Sequence, residues 1–455
     1  MHRPASPAPT GAPDGSYAEL VRLAGPVMLS RLGIMAMGLT DAIVVGQWSA
    51  RELGIHAMAW APTGTVLVGG IGLLIGVQVL TARHIGAGSP ERTGAVLRRG
   101  VVYAFWIGLV STIALELMGP WLLGAIGIES GILERTALVL RIFALSLTPY
   151  LVADALIFWF EAQGEPKKPM VALWLANAVN LGLALWLVRG GIPGIDGALG
   201  VACATLGART FLMLVLVWML WRWPRTAALG VWQKPAPDRA EARAQRRIGY
   251  ASGASYLIEG GAFSALTLVA GQISVLTAAA WAVVGNVAAL VFMVPLGLAT
   301  ATAVLVARAA GAGSVAGVKR AFAMGMKLSM GLLLLISVGL WAGAGLVARA
   351  YTADPAVLVI LPAALGIAAL FYMADGAQVV AANALRARGD IWWPTGMHLV
   401  SYALLMLPLC WWLAVPAGLG LNGIVWGVTV ASFVSAGALV ARFVWLGDRM
   451  KAGVH

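Results

Sequence analysis

Charge is what this 455-residue chain has least of. Asp, Glu, Lys and Arg together make up 11% of it, where a soluble domain carries about 25%. The length would divide into about three soluble domains, but such domains need hydrated, charged surfaces that are missing here. Two cysteines cannot staple a disulfide framework. Cys203 and Cys410 both stand in apolar stretches and read as buried thiols without redox chemistry. Fifty-six glycines follow no strict period, which excludes a collagen-like chain. What is abundant is apolar: 60% of the residues are hydrophobic and the mean hydropathy is +0.87. These absences leave a polytopic membrane protein.

The formal charge of +12 has two readings. A basic chain can bind nucleic acid, or its bases can crowd the cytoplasmic loops of a membrane protein. Position decides between them. A spanning helix needs roughly 20 apolar residues, because about 30 Å of hydrocarbon is crossed at 1.5 Å per residue. That ruler marks twelve stretches, near 20–46, 56–82, 100–123, 136–162, 169–189 and 197–222, then near 248–270, 276–307, 320–350, 356–386, 393–415 and 423–446. With the N-terminus placed inside, 21 Lys and Arg fall in inner segments, among them Arg83, Arg92, Arg98, Arg99, Arg308 and Lys319. Only Arg51, Arg135, Arg189 and Arg349 fall outside. Both termini are therefore expected in the cytoplasm, and no nucleic-acid partner is expected. Residues 1–16, rich in Pro, Ala, Gly and Ser, read as a disordered tail rather than a signal peptide. Two six-helix units follow at 17–222 and 248–446, joined by a basic cytoplasmic linker at 223–247 and closed by a cytoplasmic tail at 447–455.

The two units are related by an offset of 225. Val79–Ser89 aligns with Val304–Ser314 at eight of eleven positions, and Gly164 and Pro169 recur as Gly389 and Pro394. An even number of spans per unit keeps both facing the same way, so the axis relating them runs along the membrane normal. The fold expected is an all-α polytopic membrane protein, with twelve transmembrane helices in two pseudo-symmetric six-helix bundles. Two such bundles around a central cleft describe a secondary transporter.

Acids inside these spans are expensive, roughly 2.5–3.5 kcal/mol each at mid-bilayer. Four of them cannot be assigned to loops: Asp41 in span 1, Asp154 in span 4, Glu259 in span 7 and Asp375 in span 10. Each unit carries one acid on its first helix and one on its fourth. Two nearby carboxylates do not both ionise cheaply, so such a pair can take up a proton; ionised, it can hold Na⁺. The structural alternative is neutralisation by Arg31, Arg141 or Arg209. Asn180 offers a neutral oxygen to a cation site, and Asn286, with Trp281 as its neighbour, is placed in the cleft. Tyr150, Asp154 and Phe371 complete the expected cavity lining beside Asp41. For Asn177, Asn180 and Asn286 an interhelical hydrogen bond is the competing role. Pro26 and Pro295 fall inside spans 1 and 8 and are expected to kink them.

The residues resemble the multidrug and toxin extrusion (MATE) family, in its NorM-type branch. Thr40-Asp41-Ala42-Ile43-Val44-Val45-Gly46 resembles the family's V-D-x-x-x-x-G, and the stretches Arg83–Gly88 and Arg308–Gly313 resemble its paired Gly-Ala-Gly loops. Leu290–Pro295 resembles a run of the eighth span. Asp375-Gly376-Ala377-Gln378-Val379-Val380, with Leu385-Arg386 and Asp390, resembles D-A-L-Q-V-V followed by L-R and D. The resemblance implies V-shaped bundles that export organic, mostly cationic and amphipathic compounds in exchange for H⁺ or Na⁺. It assigns cation coupling to Glu259, Asp375, Asp41 and Asn180, without a cofactor or a bound metal other than possible Na⁺ at Glu259 and Asp375. It further implies drug-like cations and the lipid bilayer as partners, a functional monomer, and a bacterial inner membrane. Two departures, Ala184 where the family often has a second Asn and Trp281-Ala282 where it has His-Gln, tilt the expectation toward H⁺.

Three other readings are weaker. A major facilitator carrier needs a Gly-x-x-x-Asp-Arg loop after span 2, and Arg83–Arg99 holds no Asp. A lipid-linked oligosaccharide flippase needs cations in its cavity, for which Arg31, Arg141 and Arg209 are candidates. A membrane enzyme needs a catalytic constellation, and five His with few loop residues supply none.

Overall fold

The computed structural model describes residues 16–125, 130–234, 238–352 and 354–451. The tail expected at 1–16 lies, Ser16 apart, outside them. With no water to pair the backbone in lipid, an apolar chain closes its hydrogen bonds within helices, and twelve are long and apolar enough to cross a bilayer. Spans 1 to 6 are Tyr17–Trp48, Ala50–Gly86, Pro90–Ala125, Gly131–Gln163, Lys167–Leu187 and Gly197–Arg222. Spans 7 to 12 are Arg239–Ile273, Val275–Gly311, Val315–Tyr351, Pro355–Arg388, Trp392–Ala414 and Gly420–Asp448.

Span 7 departs from its hydrophobic stretch, starting at Arg239 rather than near 248. The added turns are amphipathic. The Asp238 carboxylate caps them by accepting the Glu241 N–H at 2.9 Å, and Gln245 is buried, donating to the Val96 carbonyl at 3.3 Å. Arg243, Arg246 and Arg247 stay exposed. Tertiary docking on spans 2 and 3, which hydropathy does not register, carries the helix past the apolar run.

The 225-residue repeat is visible in the helix ends. Ser49 and Ser274 cap spans 2 and 8, their hydroxyls accepting the Glu52 and Thr277 N–H groups at 3.4 and 3.0 Å. Gly164 and Gly389 close spans 4 and 10 in the left-handed conformation, at φ 86° and 112°, which glycine adopts without steric penalty. Other positions break the symmetry. Span 4 is interrupted at Ser146, between helices Ser130–Leu145 and Leu147–Gln163. Span 11 widens to a π-helix over Leu399–Met406, a distortion frequent at functional sites.

Spans 1 and 2 meet spans 7 and 8 across the molecule, and they do so along one half of their length. Gly72 and Gly76 on span 2 oppose Gly249 and Gly253 on span 7 so closely that a methyl group at Gly72 would come within 2.6 Å of the Gly253 Cα. Small residues four apart permit this approach of backbones. Met28 packs on Gly297 in the same way, and Gly86 and Gly311 lie against the carbonyls of Arg308 and Arg83. Beyond Gly69 and Leu257 the contact ends: a methyl group at Gly38, Gly260, Gly261 or Gly285 would meet nothing within 4 Å. The bundles thus touch at the face that carries Arg83, Arg99, Arg308 and Glu241, here termed the basic face, and part toward the opposite one.

Candidate functional site

The second bundle gathers its polar residues on spans 7, 10 and 11. Gln378, three residues after Asp375, donates its amide to Asp375 Oδ1 at 3.2 Å and to Glu259 Oε1 at 3.1 Å. The two carboxyls expected to act together are therefore bridged by one side chain. Asp375 is 5% exposed, and the Glu259 side chain retains 16%. His398 brings Nδ1 to 3.9 Å from Glu259 Oε2, and its ring stands edge-on to Tyr402, with centroids 5.6 Å apart. Toward the basic face the Arg386 guanidinium donates to Ser255 Oγ at 2.6 Å, and Ser255 donates to Thr395 Oγ1 at 3.1 Å. Phe371 closes the opposite side, packed on Phe263 and Tyr372. Gln378 Oε1 and the Ser401 hydroxyl are buried without a hydrogen-bond partner in the protein. Each such group costs about 1–3 kcal/mol unless a small polar occupant serves it.

The first bundle holds a different arrangement. Thr205 donates to Asp41 Oδ2 at 2.7 Å, and the buried Asn180 amide stands beside the same carboxyl without closing a well-formed hydrogen bond. Arg209, one turn beyond Thr205, donates to Ser146 Oγ at 2.8 Å and lies over the rings of Tyr150 and Trp60, at 4.8 and 5.3 Å. Asp154 is fully buried with neither oxygen bonded. Among the described residues no hydrogen bond joins Asp41 to Asp154, so the first bundle does not reproduce the bridged pair of the second. The reason is geometric: Asp154 faces Arg31 and Glu161, whereas Asp41 faces spans 5 and 6.

Of the arginines offered as neutralising groups, Arg31 stands near Asp154 and Arg209 near Asp41, but their hydrogen bonds go to other residues. Arg31 Nη2 reaches both oxygens of Glu161, at 3.1 and 3.2 Å, and Gln78 donates to the same carboxylate at 2.9 Å. Arg141 pairs with Glu116 at 3.3 Å. Trp281 is buried in the core of the second bundle with Val284 and Leu361, and Asn286, five residues on, is exposed. A five-residue step rotates a helix by about 140°, so the two occupy different faces rather than one cleft wall.

Hydropathy missed Gln378, His398, Tyr402, Thr205 and Glu161. Three had a signal: Gln378 and His398 are polar side chains in apolar runs, and Glu161 is related by the repeat offset to Arg386, a buried charged residue of the second bundle. Among the described residues no group of three His, Cys, Asp or Glu side chains is placed to hold a metal ion. Two carboxylates and one amide oxygen are what the second bundle offers a hard cation.

This geometry has relatives. A family model described as MatE matches residues 26–186 and again 251–412, so the family unit occurs twice, its two starts separated by the repeat offset. A probable multidrug resistance protein NorM of Caulobacter vibrioides is 51% identical over 436 residues, 96% of this chain and 93% of that protein. Another from Deinococcus radiodurans is 34% identical and covers 98% of each chain. A solved structure described as the outward-facing conformation of a multidrug resistance MATE family transporter superposes with a TM-score of 0.87 at 20% identity, over 96% of each chain; it shares the fold. Two matched repeats, twelve spans and acids held inside both bundles make this chain a member of the MatE family of membrane transporters.

Proposed function

We propose that the protein is a secondary active antiporter of the bacterial inner membrane that exports amphipathic organic cations in exchange for H⁺. The observation that carries this reading is the buried Glu259–Gln378–Asp375 bridge, a site of negative charge on helices that border the gap between the bundles. The names of the NorM relatives support multidrug export. The excess of Lys and Arg supports a cytoplasmic basic face, and the conformation described then opens outward.

In that orientation the bridged carboxyls receive a proton from outside. Two carboxyls sharing donors hold one proton readily, because ionising both places like charges side by side. Protonation removes the charge that attracts an organic cation, and cargo leaves outward. After reorientation the proton dissociates into the cytoplasm and the restored charge recruits the next cargo. Ion and cargo must differ in affinity between the two conformations for either to drive the change. Gln378 turns amide hydrogens rather than its oxygen toward the carboxylates, which leaves Na⁺ fewer oxygen ligands there, and Ala184 and Trp281-Ala282, the two departures from the family pattern, support H⁺ in the same direction. The first bundle, with Asp41, Thr205 and Asn180, holds a second buried polar cluster. The flippase alternative loses support: Arg31 is committed to Glu161, and Arg209 to Ser146 and two aromatic faces, which leaves neither open to a pyrophosphate.

Proteoliposomes loaded with a fluorescent cation test the reading, with pH and Na⁺ gradients imposed separately. Transport is expected to follow the pH gradient and to vanish in Glu259→Gln and Asp375→Asn at unchanged protein levels. Transport driven by Na⁺ alone overturns the choice of ion, and wild-type transport in both variants overturns the site.

A further inference from the structure

The end of span 4 and the end of span 10 each leave backbone carbonyls outside the capping turn. At Gly164 the capping turn uses the carbonyls of Glu161 and Phe160, the latter accepting the Glu165 N–H; at Gly389 it uses those of Arg386 and Leu385. Ala162 O and Ala387 O stay outside these turns. Each is taken by an arginine of the other bundle. Arg308 Nη2 donates to Ala162 O at 2.7 Å, and Arg83 Nε and Nη2 donate to Ala387 O at 3.2 and 2.9 Å. Arginine and carbonyl both recur at the 225-residue offset, so the two clasps are mates about the axis between the bundles. Between them Gly86 and Gly311 press on the carbonyls of Arg308 and Arg83, where any side chain would collide with backbone. A cation at a helix C-terminus is favoured by the open carbonyls and the helix dipole.

We propose that Arg83 and Arg308 form a reciprocal latch that holds the basic face shut, and that its release is the step that opens the transporter to the cytoplasm. The inference rests on the reading of the chain as an alternating-access antiporter with a cytoplasmic basic face. Both clasps join one bundle to the other and straddle the axis, so a rocking motion of the bundles breaks the two together and packing within each bundle is untouched. Their acceptors are backbone carbonyls rather than carboxylates; only Arg308 adds an acid, Glu19 at 3.2 Å. Water can replace the carbonyl acceptors as the bundles part, and the Arg308–Glu19 pair, which also joins the bundles, parts in the same step. The site residues of the second bundle lie deeper in the molecule and take no part in the latch.

Spin labels read this directly. Lys167 and Trp392 are repeat mates, both exposed, at the starts of spans 5 and 11 on the basic face. Labels on Lys167→Cys and Trp392→Cys, with Cys203 and Cys410 replaced by Ala, report the separation of the bundles in lipid nanodiscs by double electron–electron resonance. With both arginines present a short distance should dominate. Arg83→Ala and Arg308→Ala should each raise the ratio of long to short distances by about tenfold, the factor set by a charge-assisted hydrogen bond, and the double variant should raise it further. Arg83→Gln/Arg308→Gln repeats the test with polar side chains, for the case in which the alanine pair does not assemble. A wild-type distance distribution in either folded double variant overturns the latch. The labels report conformation whether or not cargo moves, so that result leaves Glu259 and Asp375 as the coupling site, and inactivity of Glu259→Gln leaves the latch standing.

Discussion

Glu161 is served by Arg31 and Gln78, whereas Asp154, two turns earlier on the same span, has two buried oxygens that accept no hydrogen bond. The difference separates a residue kept for structure from one whose cost the fold tolerates. Removing one member of a buried ion pair strands the other and costs about 3–5 kcal/mol. Glu161→Gln should therefore lower the thermal unfolding temperature clearly, and Asp154→Asn, which breaks no hydrogen bond and loses only its attraction to Arg31, should lower it less or not at all. Melting curves in detergent check this, and equal losses in both variants would refute the distinction. The sequence pointed to Asp154 and passed over Glu161, because a charge near the end of an apolar run looks like a loop residue. Only the packing of span 4 at the centre of the first bundle shows that it is buried.

At the scale of the element, composition made the spans legible. Hydropathy located all twelve, since lipid allows no other state for apolar runs of that length. It did not reveal which glycines matter. Gly72 and Gly38 look alike in the sequence, yet one abuts the backbone of span 7 and the other has open space. Gly72→Val should destabilise the protein by about 1–3 kcal/mol, the usual result of overpacking, and depress transport through loss of the closed interface. Gly38→Ala should be neutral or stabilising by up to about 1 kcal/mol, as expected where a helical glycine gains a methyl group without a clash. Thermal unfolding of the two variants decides; a destabilised Gly38→Ala with an unaffected Gly72→Val would reverse the assignment of the contact face. The π-helical turns of span 11 were equally hidden, because their hydrophobic pattern matches an ordinary helix. They accompany His398 and Tyr402, which no motif had singled out.

For the whole molecule the orientation of charge is the governing quantity. Bases concentrated on one face resist translocation, so a cysteine at the exposed Ala87 should react with an impermeant maleimide only from the cytoplasm, and one at the exposed Ile192 only from outside. Labelling of intact cells and inverted vesicles measures this, with Cys203 and Cys410 inside spans 6 and 11 as the background; the reverse pattern would invert the cycle proposed for the gap. Composition, length of apolar runs and the repeat by themselves determined a duplicated twelve-helix membrane protein with acids inside it, since desolvation of backbone and charge acts on each segment wherever it packs. Tertiary structure decided which acids meet. Glu259 and Asp375 are joined through Gln378, Asp41 and Asp154 stay apart, and Arg83 and Arg308 reach across to carbonyls over 140 residues away in the chain. Those pairings depend on helix rotation and on the approach of one bundle to the other, which single-span patterns do not encode.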